Sequence, residues 1–328
     1  MERLVTELVH FFQLSKIIEA STSRSWANLD GFDWAVVLLA PIVPISLAVE
    51  FCITALRRRA NFTSYRVNLT IYAVNRLIGT VINLSVAFSL IYLLKDYAMF
   101  QTSVTWYWFV YAYLVWELGQ YIFHRLSHKV RLLWCLHSTH HAQEDMNISV
   151  SYAHFFLEGT FANLIRIPIA TLCGVDPMLL TLILLIAPIY GSLIHTSEAL
   201  LPRGRIGPLR AIFLSPSDHR VHHAKNPIYI DRNYCNLFNI WDRLFGTYQA
   251  ELDEIPIEYG VSRKVDAHKF ADVYFGEFTL LCRDFVTAPG VKNKLMYLVM
   301  PPGWTHSGQH ATATHLRKHF LATNAANH

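Results

Sequence analysis

Histidines stand out among the residues in this sequence that could do chemistry, and eight of the 17 occur in three short groups. The groups are an HxxxH pair, His124 and His128; an HxxHH triplet, His137, His140 and His141; and a second HxxHH triplet, His219, His222 and His223. Residues three and four positions apart share one face of a helix, so each group directs its imidazoles to one side. This arrangement is typical of a metal centre.

The residue type indicates which metals could bind. Neutral imidazole suits iron, copper and zinc, whereas magnesium, calcium and manganese prefer oxygen, and neither HxxHH triplet contains a carboxylate. A tetrahedral zinc takes four ligands, so eight imidazoles predict two metals that share one site.

A single HxxxH pattern is weak evidence, because such a pattern arises readily by chance. The polar C-terminal tail holds two more HxxxH pairs, which are formed by His306, His310, His315 and His319. No apolar segment flanks those four residues, and we expect them on the solvated surface.

With these spacings and the aromatic segment after the third group, the sequence resembles the fatty acid hydroxylase and sterol desaturase superfamily of membrane di-iron oxygenases. Within it, the stretch SPSDHRVHHAKNPIYIDRNYCNLFNIWDRLFGTYQAE, Ser215 to Glu251, is similar to the alkylglycerol monooxygenase branch. The resemblance extends from about Trp116 to Gly260. Cys235 stands where a glycine is expected, and the two ends of the chain match no family.

The resemblance implies two iron ions, cycling between Fe2+ and Fe3+, that react with O2. It also implies a ninth ligand, His195 in LIHTSE, since the superfamily commonly has a further histidine at the end of a span. His154 in SYAHFF is the next candidate, either as a ligand or as a neighbour that orients one.

The implied activity is hydroxylation of an unactivated C–H bond of a lipid, either an alkylglycerol ether lipid or a fatty acyl chain. The sequence contains no Rossmann fingerprint and no flavin or haem motif, so electrons must come from an external donor. The branch implies a reduced pterin; a ferredoxin or cytochrome b5-type protein is the alternative. The net charge of +4 without a basic stripe gives no indication of nucleic-acid binding.

Three other functions remain open. A sterol or fatty acyl desaturase of the same superfamily shares all the histidine groups. A zinc-dependent membrane hydrolase normally has a carboxylate base such as the glutamate of HExxH, which is absent here. A metal transporter or a non-enzymatic lipid-binding protein is the third, although transporters place polar ligands at the bilayer midplane.

The composition predicts an integral membrane protein, because 53% of residues are hydrophobic and 16% are charged. We predict an all-α fold with about four transmembrane helices or hairpin arms and a cytoplasmic helical cap that carries the histidines. The predicted parts are an N-terminal interfacial helix at 1–32, a catalytic domain at 33–260, and C-terminal interfacial helices with a flexible tail at 261–328. The predicted spans are 33–56, 77–94 and 104–123, followed by a hairpin of 156–174 and 178–195 that turns at Gly174 to Pro177.

Charge predicts the orientation of these spans. The predicted loop 57–76 carries five arginines and is therefore cytoplasmic by the positive-inside rule. All three histidine groups then meet at the cytoplasmic face of a bacterial inner membrane or an endoplasmic reticulum. The five scattered cysteines, which form no CxxC pair, agree with a reducing compartment.

Acidic residues near the histidines have two possible roles. Glu144, Asp145, Asp218 and Asp231 could orient metal-bound imidazoles, or they could cap helices and carry surface charge. Glu158 and Arg166 lie inside the predicted hairpin, where charge is costly in lipid, so we expect both to face protein or a water-filled cavity.

Overall fold

The computed structural model describes residues 31–325, and this part of the chain is helical, with two isolated β-bridges and no strand. The predicted all-α fold is therefore confirmed for the described residues, while the interfacial helix predicted at the N-terminus lies almost wholly outside them. The helices are α1 (Gly31–Leu39), α2 (Ile42–Leu56), α3 (Phe62–Leu94), α4 (Trp106–Lys129), α5 (Arg131–His141), α6 (Glu158–Leu172), α7 (Pro177–Leu193), α8 (Pro216–His222), α9 (Ile240–Leu244), α10 (Phe270–Thr287), α11 (Gly290–Val299) and α12 (Ala313–Ala325).

Helices α1 and α2 form the most apolar segment. Asp33–Leu56, 24 residues with a mean hydropathy of 2.4, is long and apolar enough to cross a membrane, and it is interrupted next to Pro41. Within the described residues no other single helix meets both criteria. Helix α3 is a second candidate if its two arms, Phe62–Arg76 and Val81–Tyr97, are counted as one span bent by 55°. The number of spans stays a prediction.

The predicted cytoplasmic loop 57–76 is wrong over most of its length, because α3 begins at Phe62 and includes Arg66 and Arg76. The Asn61 side chain caps this helix by accepting a hydrogen bond from the Ser64 N–H over 3.2 Å. Between Asn61 and Arg76 the sequence has neither glycine nor proline, and arginine favours helix.

The predicted hairpin is present as α6 and α7. It turns at Gly174, which has a φ of +75°, and Asp176 caps α7 by accepting from the Met178 N–H. At 1.5 Å per residue, the 15 and 17 residues of the two helices span roughly 22 and 26 Å, less than the roughly 30 Å of a hydrocarbon core. Helix α6 packs against both α3 and α4, and both open ends of the hairpin return towards the histidine-bearing segments.

The C-terminal helices α10 and α11 pack against α5, one of the histidine-bearing helices. Helix α5 also packs on α4. The predicted flexible tail is wrong over Ala313–Ala325, where α12 forms, and Arg317 on this helix donates a hydrogen bond to the Ile228 carbonyl over 3.4 Å. The segment contains alanine, leucine, lysine and arginine, which favour helix over an irregular tail.

Candidate metal centre

Three short helical segments carry the histidine groups. His124 and His128 lie in the last two turns of α4, and the extended residue Val130 separates that helix from α5, which carries the second group. His219 and His222 of the third group lie on α8, and His223 follows at its C-terminal end. That helix begins with a capping box in which Ser215 and Asp218 bond to each other's backbone N–H, and Pro216 occupies its first turn.

The structure brings all nine predicted ligands together in two buried clusters. The five-histidine cluster consists of His124, His128, His137, His141 and His222, and the four-histidine cluster consists of His140, His195, His219 and His223. Within each cluster, one ring nitrogen per residue lies within 4.8 Å of all the others. The second and third groups each divide their imidazoles between the clusters, so the clusters share two supporting helices.

Backbone carbonyls orient four of these imidazoles. Nδ1 of His124 lies 2.7 Å from the Tyr234 carbonyl oxygen, and Nδ1 of His222 lies 2.8 Å from that of Arg232. His140 and His195 make the same contact with the carbonyls of Val150 and Gly191. A carbonyl can only accept, so each Nδ1 carries the proton and each Nε2 presents a bare lone pair.

Carboxylates orient two further imidazoles. Nδ1 of His137 lies 2.7 Å from a Glu158 oxygen, and Nδ1 of His128 lies 3.3 Å from an Asp231 oxygen. Of the four acids singled out in the sequence, only Asp231 meets a histidine of the clusters in this way. Asp218 instead caps α8, and Asp145 accepts from Asn147.

Glu158 was expected to be shielded from lipid but was not predicted to bind a histidine. The sequence feature that could have identified this contact is an acidic residue inside a largely apolar segment. The structure gives Glu158 two partners, because its second oxygen lies 2.9 Å from Nδ1 of His154.

The bare nitrogens face one another. The Nε2 atoms of His124 and His137 lie 3.0 Å apart, and those of His140 and His195 lie 3.2 Å apart. Neither pair can form a hydrogen bond when both protons reside on Nδ1. Nε2 of His128 and Nε2 of His222 are buried without any partner. Converging lone pairs need a cation, so the donor set fits metal ions.

Burial also keeps these side chains neutral. Removal from water, reinforced by repulsion between neighbouring imidazoles, lowers the pKa of His140, His141, His219 and His223 well below 6.5. The same desolvation lowers the pKa of His222 to about 3. A ligand imidazole must be neutral, and this protein satisfies that requirement across the physiological pH range.

The aromatic segment after the third group positions two of the orienting carbonyls. Asp242 is fully buried and accepts from the backbone N–H groups of Tyr234 and Cys235, each over 2.8 Å. Glu117 on α4 accepts from the N–H groups of the next two residues, Asn236 and Leu237. These carboxylates lock the segment against α4, which gives a physical role to a motif recognised only by resemblance. Cys235 does not have a positive φ, so no glycine is required there.

A cavity of about 430 Å³ opens onto both clusters. Side chains from α3, α4 and the hairpin of α6 and α7 form its wall, and five clustered histidines reach it: His124, His137, His140, His195 and His219. Glu158 and Arg166 both line it, which agrees with the expectation that they face a cavity.

A second, smaller cavity of about 60 Å³ meets the five-histidine cluster from another side. His128, His141 and His222 line it together with Trp134 and residues of the C-terminal region, including Leu316 on α12. The two cavities share no lining residue. The two cavities therefore meet the histidine clusters through different residues.

The other histidines among residues 31–325 lie outside the clusters. His154 stacks on His140 with ring centroids 4.4 Å apart, and it lines the larger cavity. In the tail, His306, His315 and His319 are exposed, as expected, and His306 contacts the Tyr297 hydroxyl. His310 was expected on the surface as well but is half-buried and stacks on Trp304.

Comparison with known proteins gives concordant matches. Residues 109–247 match the fatty acid hydroxylase family model. The alkylglycerol monooxygenases of Xenopus tropicalis and Homo sapiens are each 32% identical over 218 residues, which cover 66% of this chain and 47% of each relative. The ornithine lipid hydroxylase OlsE of Rhizobium tropici is 31% identical over 150 residues, 45% of this chain and 44% of that protein. No solved structure matches.

In the part of the chain that the structure describes, fold and site define an all-helical protein built around a buried polyhistidine centre. The segment that matches the fatty acid hydroxylase family model contains all nine clustered histidines. The similarity to alkylglycerol monooxygenases inferred from Ser215 to Glu251 is confirmed. The chain spans about half the length of these curated relatives.

Proposed function

We propose that this protein is a membrane-bound, O2-dependent di-iron oxygenase that hydroxylates a C–H bond of a lipid. The observation that carries the proposal is the pairing of bare Nε2 atoms in two adjoining clusters, as between His140 and His195. When two iron ions are bound there, they supply O2 activation and oxidation of an unactivated C–H bond, with electrons from an external donor.

The chain's own residues hold and shield the site. Backbone carbonyls fix the rings of His124 and His140 with Nε2 directed inward, and Glu158 fixes that of His137. Trp116 and Phe123 on α4 give the larger cavity apolar surface that can hold a lipid chain and exclude water. A chain bound in this cavity would lie directly beside five of the nine imidazoles.

The substrate we propose is an alkylglycerol ether lipid, in keeping with the names of the relatives, with a fatty acyl chain as the other possibility. Hydroxylation inserts one oxygen atom of O2 into the C–H bond, and the other leaves as water with two protons and two donor electrons. Next to an ether oxygen, the product is a hemiacetal that cleaves to an aldehyde and a glycerol lipid. A desaturase would release an alkene instead, so product analysis separates the two reactions.

We place the metal centre at the cytoplasmic face of the membrane. Three consecutive arginines, Arg57, Arg58 and Arg59, follow the apolar segment Asp33–Leu56, and the open end of the α6–α7 hairpin lies at the clusters. The donor is a reduced pterin or a ferredoxin or cytochrome b5-type protein. It reaches the centre from the side of the smaller cavity, which has no lining residue in common with the larger, lipid-binding cavity.

The test is elemental analysis of protein purified anaerobically in detergent. Wild type is expected to hold about two iron ions per chain, whereas His219→Ala and His222→Ala, one from each cluster, are each expected to retain about one. His315→Ala in the exposed tail is the matched control and should retain both ions. A single zinc would indicate a hydrolase, and metal content independent of the clustered histidines would overturn the proposal.

A further inference from the structure

A guanidinium group on the wall of the larger cavity has no role in the metal centre. Arg166 on α6 donates to the Gln120 side chain over 3.1 Å and to the Asn163 side chain over 3.5 Å. Its Cζ atom lies 5.4 Å from the ring centroid of Trp116 and 5.6 Å from that of Phe123. Two neutral amides and two aromatic rings therefore surround a permanent positive charge.

This charge makes no direct ion pair, although Glu158 lies near enough to interact with it electrostatically. Among the residues that the structure describes, no carboxylate lies within ion-pair distance of Arg166, and its Nε atom is buried without a hydrogen-bond acceptor. Glu158 is the one acid among the residues lining the cavity, and both of its oxygens are occupied by His137 and His154. A second cation, Arg76, lines the same cavity.

Arg166 is half-buried, and withdrawing a charge from water without a direct ion pair is costly. Polar groups held inside apolar helices mark binding sites. The guanidinium has five N–H donors in a planar fork that matches a carboxylate or phosphate, and the two amides accept only two of them. An anionic group entering the cavity would pair with the remaining donors.

The position of Arg166 relates this anion to the metal centre. The Phe123 ring neighbours both: its centroid is 5.6 Å from Cζ of Arg166 and 6.2 Å from the centroid of the His124 ring. An anion bound by Arg166 is therefore one aromatic ring away from a metal ligand.

We infer that Arg166 binds the anionic head of the lipid substrate, a carboxylate or a phosphate, inside the larger cavity. This inference deepens the proposed function and rests on it. It adds that oxidation falls on the part of the chain next to the head, because the bound head lies close to the clusters. Arg166 is thus a positioning residue for the substrate.

The test measures binding of three probes with the same 16-carbon chain: hexadecanol, hexadecanoate and hexadecyl phosphate. Full-length, metal-loaded protein in uncharged nanodiscs is titrated with each probe, and its dissociation constant is determined. Wild type is expected to bind at least one anionic probe about tenfold more tightly than the alcohol, because charge-assisted hydrogen bonds to guanidinium are strong. The better anion identifies the head as carboxylate or phosphate.

Variants assign the preference to one residue. Arg166→Gln is expected to abolish the anionic preference while binding of hexadecanol is retained, and Arg166→Lys is expected to keep part of it. Equal binding of all three probes by wild type, or an unchanged preference in Arg166→Gln, would overturn the inference. The wild-type comparison decides the matter even if the glutamine variant fails to fold.

Metal content and O2-dependent products are measured on the same preparations. If the protein binds iron and forms an O2-dependent product but shows no preference for the anionic probes, the inferred role of Arg166 is wrong and the proposed function remains. If the protein binds no iron but prefers the anionic probes, and this preference depends on Arg166, only the proposed function is wrong.

Discussion

The Glu158 carboxylate accepts a hydrogen bond from Nδ1 of His137 over 2.7 Å, and the two residues belong to different helices, α6 and α5. This contact fixes the His137 ring with Nε2 towards the five-histidine cluster. The hairpin thereby supports the metal centre through a side chain as well as through its shape.

Glu158→Gln is expected to weaken metal binding at the five-histidine cluster by roughly 10–100-fold, because the substitution removes the negative charge behind a ligand imidazole. Competition with a chelator of known affinity measures the effect. Glu144→Gln is the matched control, since Glu144 is exposed and is not among the acids that bond to a clustered histidine. Equal chelator sensitivity of the Glu158 variant and wild type would show that the carboxylate does not support the cluster.

The metal-free protein is expected to lose stability as the pH falls below about 6.5. The folded protein holds the pKa of His222 at about 3 and those of His140, His141, His219 and His223 well below 6.5. Unfolded imidazoles bind protons from pH 6.5 downward, so the unfolded state is favoured by up to about 2 kcal/mol per histidine at pH 5. Thermal denaturation of apoprotein from pH 8 to 5 measures this. A midpoint that does not change between pH 7 and 5 contradicts the expectation.

Asp242→Asn is expected to destabilise the fold by about 1–3 kcal/mol, because one buried backbone N–H loses its acceptor and meets an amide instead. The Tyr234 and Arg232 carbonyls are then less firmly held, and metal content should fall as well. Denaturation midpoints and iron content are the measurements. Asp253→Asn, on an exposed ion pair with Arg205, should change neither. Full iron content in the Asp242 variant would show that the segment holds its carbonyls without this carboxylate.

Gly174→Ala is expected to destabilise the hairpin more than Gly290→Ala does. Both glycines have a positive φ, +75° and +69°, so alanine brings about 1–2 kcal/mol of backbone strain at either position. A Cβ atom on Gly174 would also lie 2.2 Å from the Phe100 carbonyl oxygen, whereas one on Gly290 meets open space. Denaturation midpoints of the two variants separate the clash from the strain; equal midpoints would mean that the Phe100 segment moves freely.

The convergence of the eight histidines in the three groups could be predicted because helical periodicity determines which side chains point together, whereas His195 was implied by the family resemblance. The division into clusters of five and four could not, since it depends on how α4, α5 and α8 cross. Nor could the carbonyls of Tyr234 and Val150 be identified, because every residue has one. Asp231 was among the candidates, but nothing in the sequence separated it from Asp218, which caps a helix instead.

The fold was predictable where local chemistry determines it. Glycine, aspartate and proline at Gly174–Pro177 mark the turn of the hairpin, and the structure turns there. The error at 57–76 arose because arginines were taken as a sign of a loop, whereas a capped helix can carry them. Helix α6 packs against α3 and α4, and α7 packs against α4, contacts that a hydropathy pattern does not reveal.

The hydrogen bond from His124 to the Tyr234 carbonyl joins residues 110 positions apart, and the segment that provides this carbonyl is held by Asp242, further still along the chain. During synthesis, α4 and α5 emerge long before that carbonyl exists. The first two histidine groups therefore remain only partly oriented until the third group and its aromatic segment have been synthesised. Metal binding is accordingly expected to be one of the last steps in the biogenesis of this protein, and a nascent chain truncated before Asp242 should be unable to retain a metal.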